Sequence, residues 1–173
     1  LRMADLETIL DQQGDEIALL LIGGVNYYTG QVFDMRSITK AGRSVGAYVG
    51  WDLAHAAGNV ELKLHDWDAD FAAWCSYKYM NSGPGNASGV FINERHLGKD
   101  DIPRFEGWWG TKKETRFLMK PEFEPMKNAD AWQVNGFRGE GQSNTLGHSW
   151  TPINNNWETF TTSAGITQIN AGT

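Results

Sequence analysis

The stretch IALLLIGGVNYYTGQVFDMRSITKAGRSVGAYVGWD, residues 17–52, decides the fold because two short apolar runs flank one segment of helical character. The runs IALLLIGG and AYVGWD are too brief for helices and are typical of buried strands. A helix is predicted between them, from about Met35 to Arg43. A strand, a helix and a second strand in this order predict a parallel crossover unit.

The segments on either side of this unit extend the same pattern. Residues 1–14 place apolar side chains at helical spacing and end on a glycine, which predicts an amphipathic helix. The runs FAAWCSYK at 71–78 and SGVFINE at 88–94 predict a third and a fourth strand. The sequence therefore predicts an α/β fold, with a mostly parallel sheet and flanking helices.

The composition of the 173 residues restricts the possible partners. A net charge of −6 and a pI near 5.1 argue against nucleic acid or an anionic membrane and favour a small molecule. The longest aliphatic run is too short to span a bilayer. The single cysteine, Cys75, excludes an intrachain disulfide, and a cytoplasmic location is expected. Because the chain begins at Leu1 without a methionine, a piece of a longer protein is expected.

The last part of the chain differs in composition from the rest. From Gly139 onward the residues are mainly Asn, Thr, Ser and Gly, with no sustained helical or strand period. Residues 1–138 are therefore predicted to form the folded domain, and residues 139–173 an unstructured tail.

Four chemically active side chains come at the ends of predicted strands. Asp52 and His55 lie at the end of one strand, and Tyr77 and Lys78 at the end of another. Because ligands of open α/β sheets collect at the carboxyl ends of the strands, these groups are expected at one edge of the sheet. Taken singly, a strand-end Asp often caps the next element and a lone His is usually a core residue. The combination of four indicates a functional site.

Lys78 and Asp52 have the chemistry that pyridoxal 5′-phosphate requires. A lysine amine can form a Schiff base with the cofactor's aldehyde, and an acid keeps the ring nitrogen protonated. The alternative for Lys78 alone is a solvated lysine beside the glycine-rich turn that follows it.

Two other kinds of site are not predicted. Asp66, Asp68 and Asp70 are spaced like the start of a calcium loop, but Phe71 and Tyr77 stand where that loop needs glycine and glutamate. The sequence also lacks the Gly-x-Ser-x-Gly elbow of a serine hydrolase. Neither a metal site nor a serine nucleophile is expected.

Six motifs lie within roughly residues 15–138: DLAHA (52–56), CSYKY (75–79), SGVFINERH (88–96), GWWG (107–110), TRF (115–117) and GFR (136–138). Through them the chain resembles the kynureninase family of fold-type I pyridoxal-phosphate enzymes. The resemblance implies that residues 1–138 are part of the large domain that binds the cofactor. It implies hydrolysis of L-kynurenine or 3-hydroxy-L-kynurenine to anthranilate or 3-hydroxyanthranilate and L-alanine. That reaction belongs to tryptophan catabolism and NAD biosynthesis, and the enzyme is a homodimer.

The resemblance also implies roles for individual residues. Lys78 would be the catalytic lysine that bonds the cofactor, Asp52 would contact the ring nitrogen, and Tyr77 would hold the phosphate. His55 would be a further cofactor contact, and Tyr28 matches a tyrosine of the family's YYTGQ pattern.

Two more positions follow from the same resemblance. Trp108 matches a tryptophan that reaches a cofactor across the dimer interface, and Gly23 stands where the family has a cofactor-contacting serine. The family's N-terminal cofactor contacts and its carboxylate-binding arginine have no counterpart in this chain. The chain alone is therefore expected to be inactive.

Two alternatives remain open at this stage. One is another fold-type I enzyme such as a cysteine desulfurase, although that family has histidine where this chain has Tyr77. The other is a truncated, non-catalytic chain.

Overall fold

The parallel crossover predicted from residues 17–52 is present in the computed structural model, which describes residues 1–82, 88–99, 101–102, 108–132, 157–161 and 166–171. The chain forms two compact units, residues 1–81 and 82–173. The first unit contains α1 (Met3–Gln13), β1 (Leu19–Gly23), α2 (Met35–Ser44), β2 (Tyr48–Asp52) and β3 (Phe71–Trp74). The second contains β4 (Gly89–Ile92), β5 (Trp157–Thr161) and β6 (Ile166–Ala171).

The three strands of the first unit are parallel. In β1 and β2, Leu19 pairs with Tyr48 and Gly23 with Asp52, and β2 continues in parallel to β3. The predicted α/β class, with a mostly parallel sheet and flanking helices, is confirmed. The third strand is shorter than the predicted run of 71–78, because it ends at Trp74 and the residues after it form bends and turns.

Helix α2 covers one face of this sheet. A Cβ on Gly42 would lie 2.5 Å from Leu20 Cδ1 and 2.8 Å from Val49 Cγ2, so only a glycine allows the helix to approach the strands this closely. The Trp51 side chain is fully buried on that face, and its Nε1 donates to Thr39 Oγ1 of α2 at 3.0 Å. The Thr39 hydroxyl in turn donates to the Met35 carbonyl at 2.6 Å. The buried polar groups are thereby satisfied.

The opposite face of the sheet carries exposed apolar side chains. Leu19, Leu21 and Tyr48 are 45%, 58% and 53% exposed, and the strand register places them on the same face. Parallel sheets normally bury both faces. In the first unit, then, helices cover only one side of a sheet whose sequence is apolar on both.

Asp70 has a structural position rather than a metal-binding one. Its carboxylate is buried, accepts from the Val49 N–H at 2.7 Å and lies 3.3 Å from Arg43 Nη1. Arg43 Nε also pairs with Asp68 at 2.7 Å. The aspartate run therefore ties the start of β3 to β2 and to the end of α2.

In the second unit, β6 is antiparallel to both β4 and β5. The segment 108–132 is organised around Arg116, whose Nη2 donates to the carbonyls of Trp109 and Thr111 at 2.9 and 3.0 Å. Its guanidinium lies 4.5 Å from the Trp109 ring centroid, and burial lowers the pKa of Arg116.

Strands β5 and β6 lie within residues 139–173, where the sequence pattern predicts no regular element, and they differ from that prediction. The other residues of this segment lie outside the described part of the chain. The division at residue 138 stays a prediction.

No helix among the described residues has both the length and the apolar character needed to cross a bilayer.

Candidate active site

Asp52 is the last residue of β2 and lies at the carboxyl edge of the sheet. Its main-chain carbonyl accepts from Gly24 N at 2.8 Å, and its Oδ1 accepts from Ala54 N at 2.9 Å. The side chain is exposed, and its second oxygen has no hydrogen bond within the described residues. One carboxylate oxygen thus shapes the turn, and the other can accept from a ligand.

The residues after Asp52 form a tight turn that carries His55. The N–H groups of Ala56 and Ala57 both donate to the Leu53 carbonyl, and the Asn59 side chain donates to the His55 carbonyl at 3.0 Å. Leu53 is fully buried and anchors the start of the turn. The half-buried His55 ring consequently has a fixed backbone beneath it.

Gly58 ends this turn and brings it against the segment that contains Lys78. Its φ is +76°, a conformation that favours glycine, and a Cβ there would lie 2.8 Å from the Tyr79 carbonyl oxygen. Any side chain at position 58 would push the two segments apart.

Lys78 and His55 are in direct contact. The Lys78 Nζ lies 2.9 Å from His55 Nε2, and both side chains are half-buried. No carboxylate forms an ion pair with Lys78 among the described residues. The amine is held by an imidazole, and the Asp52 charge is left available for another group.

Tyrosine rings surround this pair. The ring centroids of Tyr27 and Tyr79 lie 6.0 and 6.1 Å from that of His55, and the Tyr77 centroid lies 5.9 Å from Lys78 Nζ. Tyr27 is 79% exposed. The pair therefore lies beside an open aromatic surface, where a planar ligand could stack.

Tyr27 and Tyr28 are presented by a turn that Asn26 stabilises. The Asn26 Oδ1 accepts from the N–H groups of Tyr28 and Thr29 at 3.0 and 2.9 Å. Gly30, with a φ of +73°, donates its N–H to the Asn26 carbonyl. An Asn at the first position and a Gly at the left-handed one are the residues that such a turn requires.

Tyr77 has an electrostatic link to Cys75. A side-chain hydrogen bond with Cys75, followed by the charge interaction with it, raises the pKa of the Tyr77 phenol. A phenol titrates at about pH 10 even without such a shift, so this one is protonated at neutral pH and can donate to an anion such as a phosphate.

Gly23 and Trp108 are the two remaining predicted positions. Gly23 pairs with Asp52 in the sheet, and a Cβ on it would meet the carbonyl oxygens of Val25 and Asp52 at 3.7 and 4.0 Å, so the site has room for a serine. Trp108 begins a short 3₁₀ helix, Trp108–Gly110, in the second unit.

The structure brings His55, Lys78 and Tyr77 together. Asp52 lies three residues before His55, at the end of β2. Sequence reasoning missed Tyr27, Tyr79 and Gly58. The adjacent tyrosines of NYYTG were a visible signal, because the same turn follows the Gly-Gly end of β1. Nothing in the sequence marks Gly58 as a contact of the Tyr79 backbone.

Known proteins match most of this chain. Residues 1–101 match the family model of the class-V aminotransferases. The kynureninase of Christiangramia forsetii is 69% identical over 133 residues, which are 77% of this chain and 31% of that protein. The kynureninase of Yarrowia lipolytica is 46% identical over 165 residues, 95% of this chain and 36% of that protein. The chain thus spans about a third of the length of these relatives, and a match of 133 residues has to include the interval from Asp52 to Trp108.

Among solved structures, a cysteine desulfurase of Escherichia coli, CsdA, has a similar fold. The TM-score is 0.57 at 16% identity, and the match covers 74% of this chain and 31% of that one. The likeness at this identity concerns the fold alone, and it agrees with the predicted large-domain architecture.

Proposed function

The chain belongs to the aminotransferase class-V family, and from that premise we propose that the complete protein is a pyridoxal 5′-phosphate-dependent kynureninase. The enzyme hydrolyses L-kynurenine or 3-hydroxy-L-kynurenine to anthranilate or 3-hydroxyanthranilate and L-alanine. One water is consumed when the bond between the β and γ carbons is cleaved. The high identity to kynureninases across the interval that contains the candidate site is the observation that carries the proposal.

The side chains at the sheet edge fit the cofactor. The Lys78 amine is half-buried and free of carboxylate partners within the described residues, so it is available to the cofactor's aldehyde. The second oxygen of Asp52, which has no hydrogen bond within the described residues, would accept from the protonated ring nitrogen, and the Tyr77 phenol would donate to the phosphate. When bound, the cofactor supplies an electron-withdrawing ring that stabilises negative charge on the substrate's α-carbon.

The residues of this chain then have distinct tasks. Lys78 would hold the cofactor through its amine, and the same amine would move the proton at the substrate's α-carbon. Asp52 keeps the ring nitrogen protonated, and His55 is a further cofactor contact beside Lys78. Gly23 lines the cofactor site where a serine would supply an additional hydroxyl.

The partners and location follow from the same proposal. The complete enzyme is a cytoplasmic homodimer in which Trp108 contacts the cofactor of the second subunit. Its ligands are small molecules, in keeping with the acidic net charge, and neither nucleic acid nor a membrane is a partner.

The decisive experiment measures hydrolysis of kynurenine by the fluorescence of anthranilate, with the wild-type protein and with Lys78→Ala. The wild type should bond pyridoxal phosphate at the peptide that contains Lys78 after borohydride reduction, and Lys78→Ala should have neither the adduct nor activity. Lys63→Ala, which changes an exposed lysine, is the control. An adduct without anthranilate, but with sulfide released from cysteine, would identify a desulfurase instead, and no adduct would indicate a non-catalytic protein.

A further inference from the structure

The contact between His55 and Lys78 suggests a role that cofactor binding alone does not assign to the histidine. The Lys78 Nζ lies 2.9 Å from His55 Nε2. We propose that His55 is a positioning residue for Lys78, whose uncombined amine it holds at the point where the cofactor's aldehyde arrives. The inference deepens the proposed function and rests on the assignment of Lys78.

The direction of the hydrogen bond depends on which group carries the proton. A lysine ammonium has three donors and no acceptor, so the imidazole nitrogen has to accept. The 2.9 Å contact by itself fits either direction. The inference is that the resting lysine is the ammonium and donates, so that His55 accepts through Nε2 and its neutral ring carries the proton on Nδ1. The inference thus specifies one tautomer of one histidine.

The backbone and the rings around His55 restrict where its Nε2 can lie. The Asn59 side chain donates to the His55 carbonyl at 3.0 Å, and the turn beneath is closed on the Leu53 carbonyl. Tyr27 and Tyr79 contact the imidazole through their rings. An imidazole held in this way presents a fixed acceptor.

Gly58 sets the separation between the two segments. The turn that carries His55 packs against the Tyr79 backbone, next to Lys78, at a distance that leaves no room for a Cβ. Lysine has a flexible four-carbon stem, and its amine is not localised by the stem alone. The fixed histidine supplies the missing restraint, and a misplacement of about 1 Å at a reacting group can cost on the order of 100-fold in rate.

The first test reads the tautomer in the full-length protein before cofactor is added. Nitrogen-15 NMR of labelled histidines should find neutral His55 protonated on Nδ1, and Lys78→Met should remove that preference. His65, which is about half exposed and lies beside Asp66, is the internal control and should not change. Protonation of His55 on Nε2, or the same tautomer in the wild type and in Lys78→Met, would overturn the inference.

The second test measures the rate at which the cofactor-free protein bonds pyridoxal phosphate. His55→Leu should slow this capture by about 10- to 100-fold, while His55→Gln, whose amide carbonyl can accept, should recover most of the rate. His65→Leu should capture at the wild-type rate. Capture by His55→Leu at the wild-type rate would contradict the inference and leave the proposed function intact.

The two measurements also distinguish a failure of this inference from a failure of the proposed function on which it rests. If the wild type forms no bond at Lys78, the proposed function fails, and the tautomer still decides whether His55 holds the amine. If His55→Leu does not fold, as judged by circular dichroism, the wild-type tautomer and the His55→Gln rate decide the inference.

Discussion

The two oxygens of the Asp52 carboxylate differ in their hydrogen bonds. Oδ1 accepts from Ala54 N and shapes the turn that carries His55, while the other oxygen has no hydrogen bond within the described residues. A substitution at this residue can therefore separate the effect of the charge from the effect of the turn.

We expect Asp52→Ala to lower turnover by orders of magnitude, because the cofactor's ring nitrogen loses the acid that keeps it protonated. Asp52→Asn is the matched variant, since its amide oxygen can still accept from Ala54 N but carries no charge. Both variants should retain most of their bound cofactor. Steady-state kinetics and cofactor absorbance check this, and near-normal turnover in Asp52→Asn would make Asp52 a structural residue only.

Elements of the first unit depend on a few residues at their ends. Asp34 caps α2 through a 3.0 Å hydrogen bond from Ser37 N to Oδ1 and a 2.7 Å bond from Ser37 Oγ to Oδ2. The bond from the Ser37 backbone, followed by that from its side chain, lowers the pKa of Asp34 below 3.8. The capped carboxylate is the ionised form.

Asp34→Ala should lower the free energy of unfolding by about 1 kcal/mol at neutral pH through loss of the cap. Because the folded pKa lies below the unfolded one, this contribution is present above pH 3.8 and is lost as the pH falls through the folded value. Urea unfolding in a pH series should thus show the two proteins converging in acid. Asp34→Ser, which caps without titrating, should stay close to the wild type at neutral pH. If the difference in unfolding free energy between the wild type and Asp34→Ala does not change with pH, the assignment is wrong.

The turn after β2 depends on Gly58 in a different way. Gly58→Ala puts an alanine in a left-handed backbone conformation, which costs roughly 1 to 2 kcal/mol. It also adds a Cβ that would lie 2.8 Å from the Tyr79 carbonyl oxygen. Gly46→Ala is the matched control, because Gly46 has a φ of +85° but nothing within 4 Å of a Cβ. Thermal unfolding should therefore find Gly58→Ala the less stable of the two. Equal losses would mean that the approach to Tyr79 is not a restraint.

At the scale of the whole molecule, the first unit carries an apolar sheet face that no helix of the described residues covers. Leu19, Leu21 and Tyr48 lie on that face, which carries Asp52 at its carboxyl end. Contiguous exposed apolar surface of this kind marks an interaction site or an aggregation-prone surface.

We expect the 173-residue chain on its own to bind a hydrophobic dye through this face. Leu21→Lys should lower the dye fluorescence, since it replaces the most exposed of the three apolar side chains of this face, at 58%, with a charged one. Ile9→Lys, at an exposed apolar residue of α1, is the control and should change it little. Equal effects of the two substitutions would show that the dye does not recognise the face of β1 and β2.

The sequence by itself determined the elements and their chemistry. Short apolar runs bounded by glycines predict β1 and β2 because burial and turn formation are local properties of the chain. Placing Asp52 and Lys78 at the ends of strands was local reasoning as well. The end of β3 at Trp74 was not predictable in this way, because the apolar run continues beyond the residues that the neighbouring strand can pair.

Only the tertiary structure decided which groups touch. His55 and Lys78 are 23 residues apart, and their contact depends on the parallel register of β2 and β3 and on the close approach at Gly58. The role of Asp70 as a bridge to Val49 and Arg43 is equally nonlocal. A residue's type limits which bonds it can form. The partner it meets depends on packing between segments that are distant in the sequence, and local sequence patterns do not predict that packing.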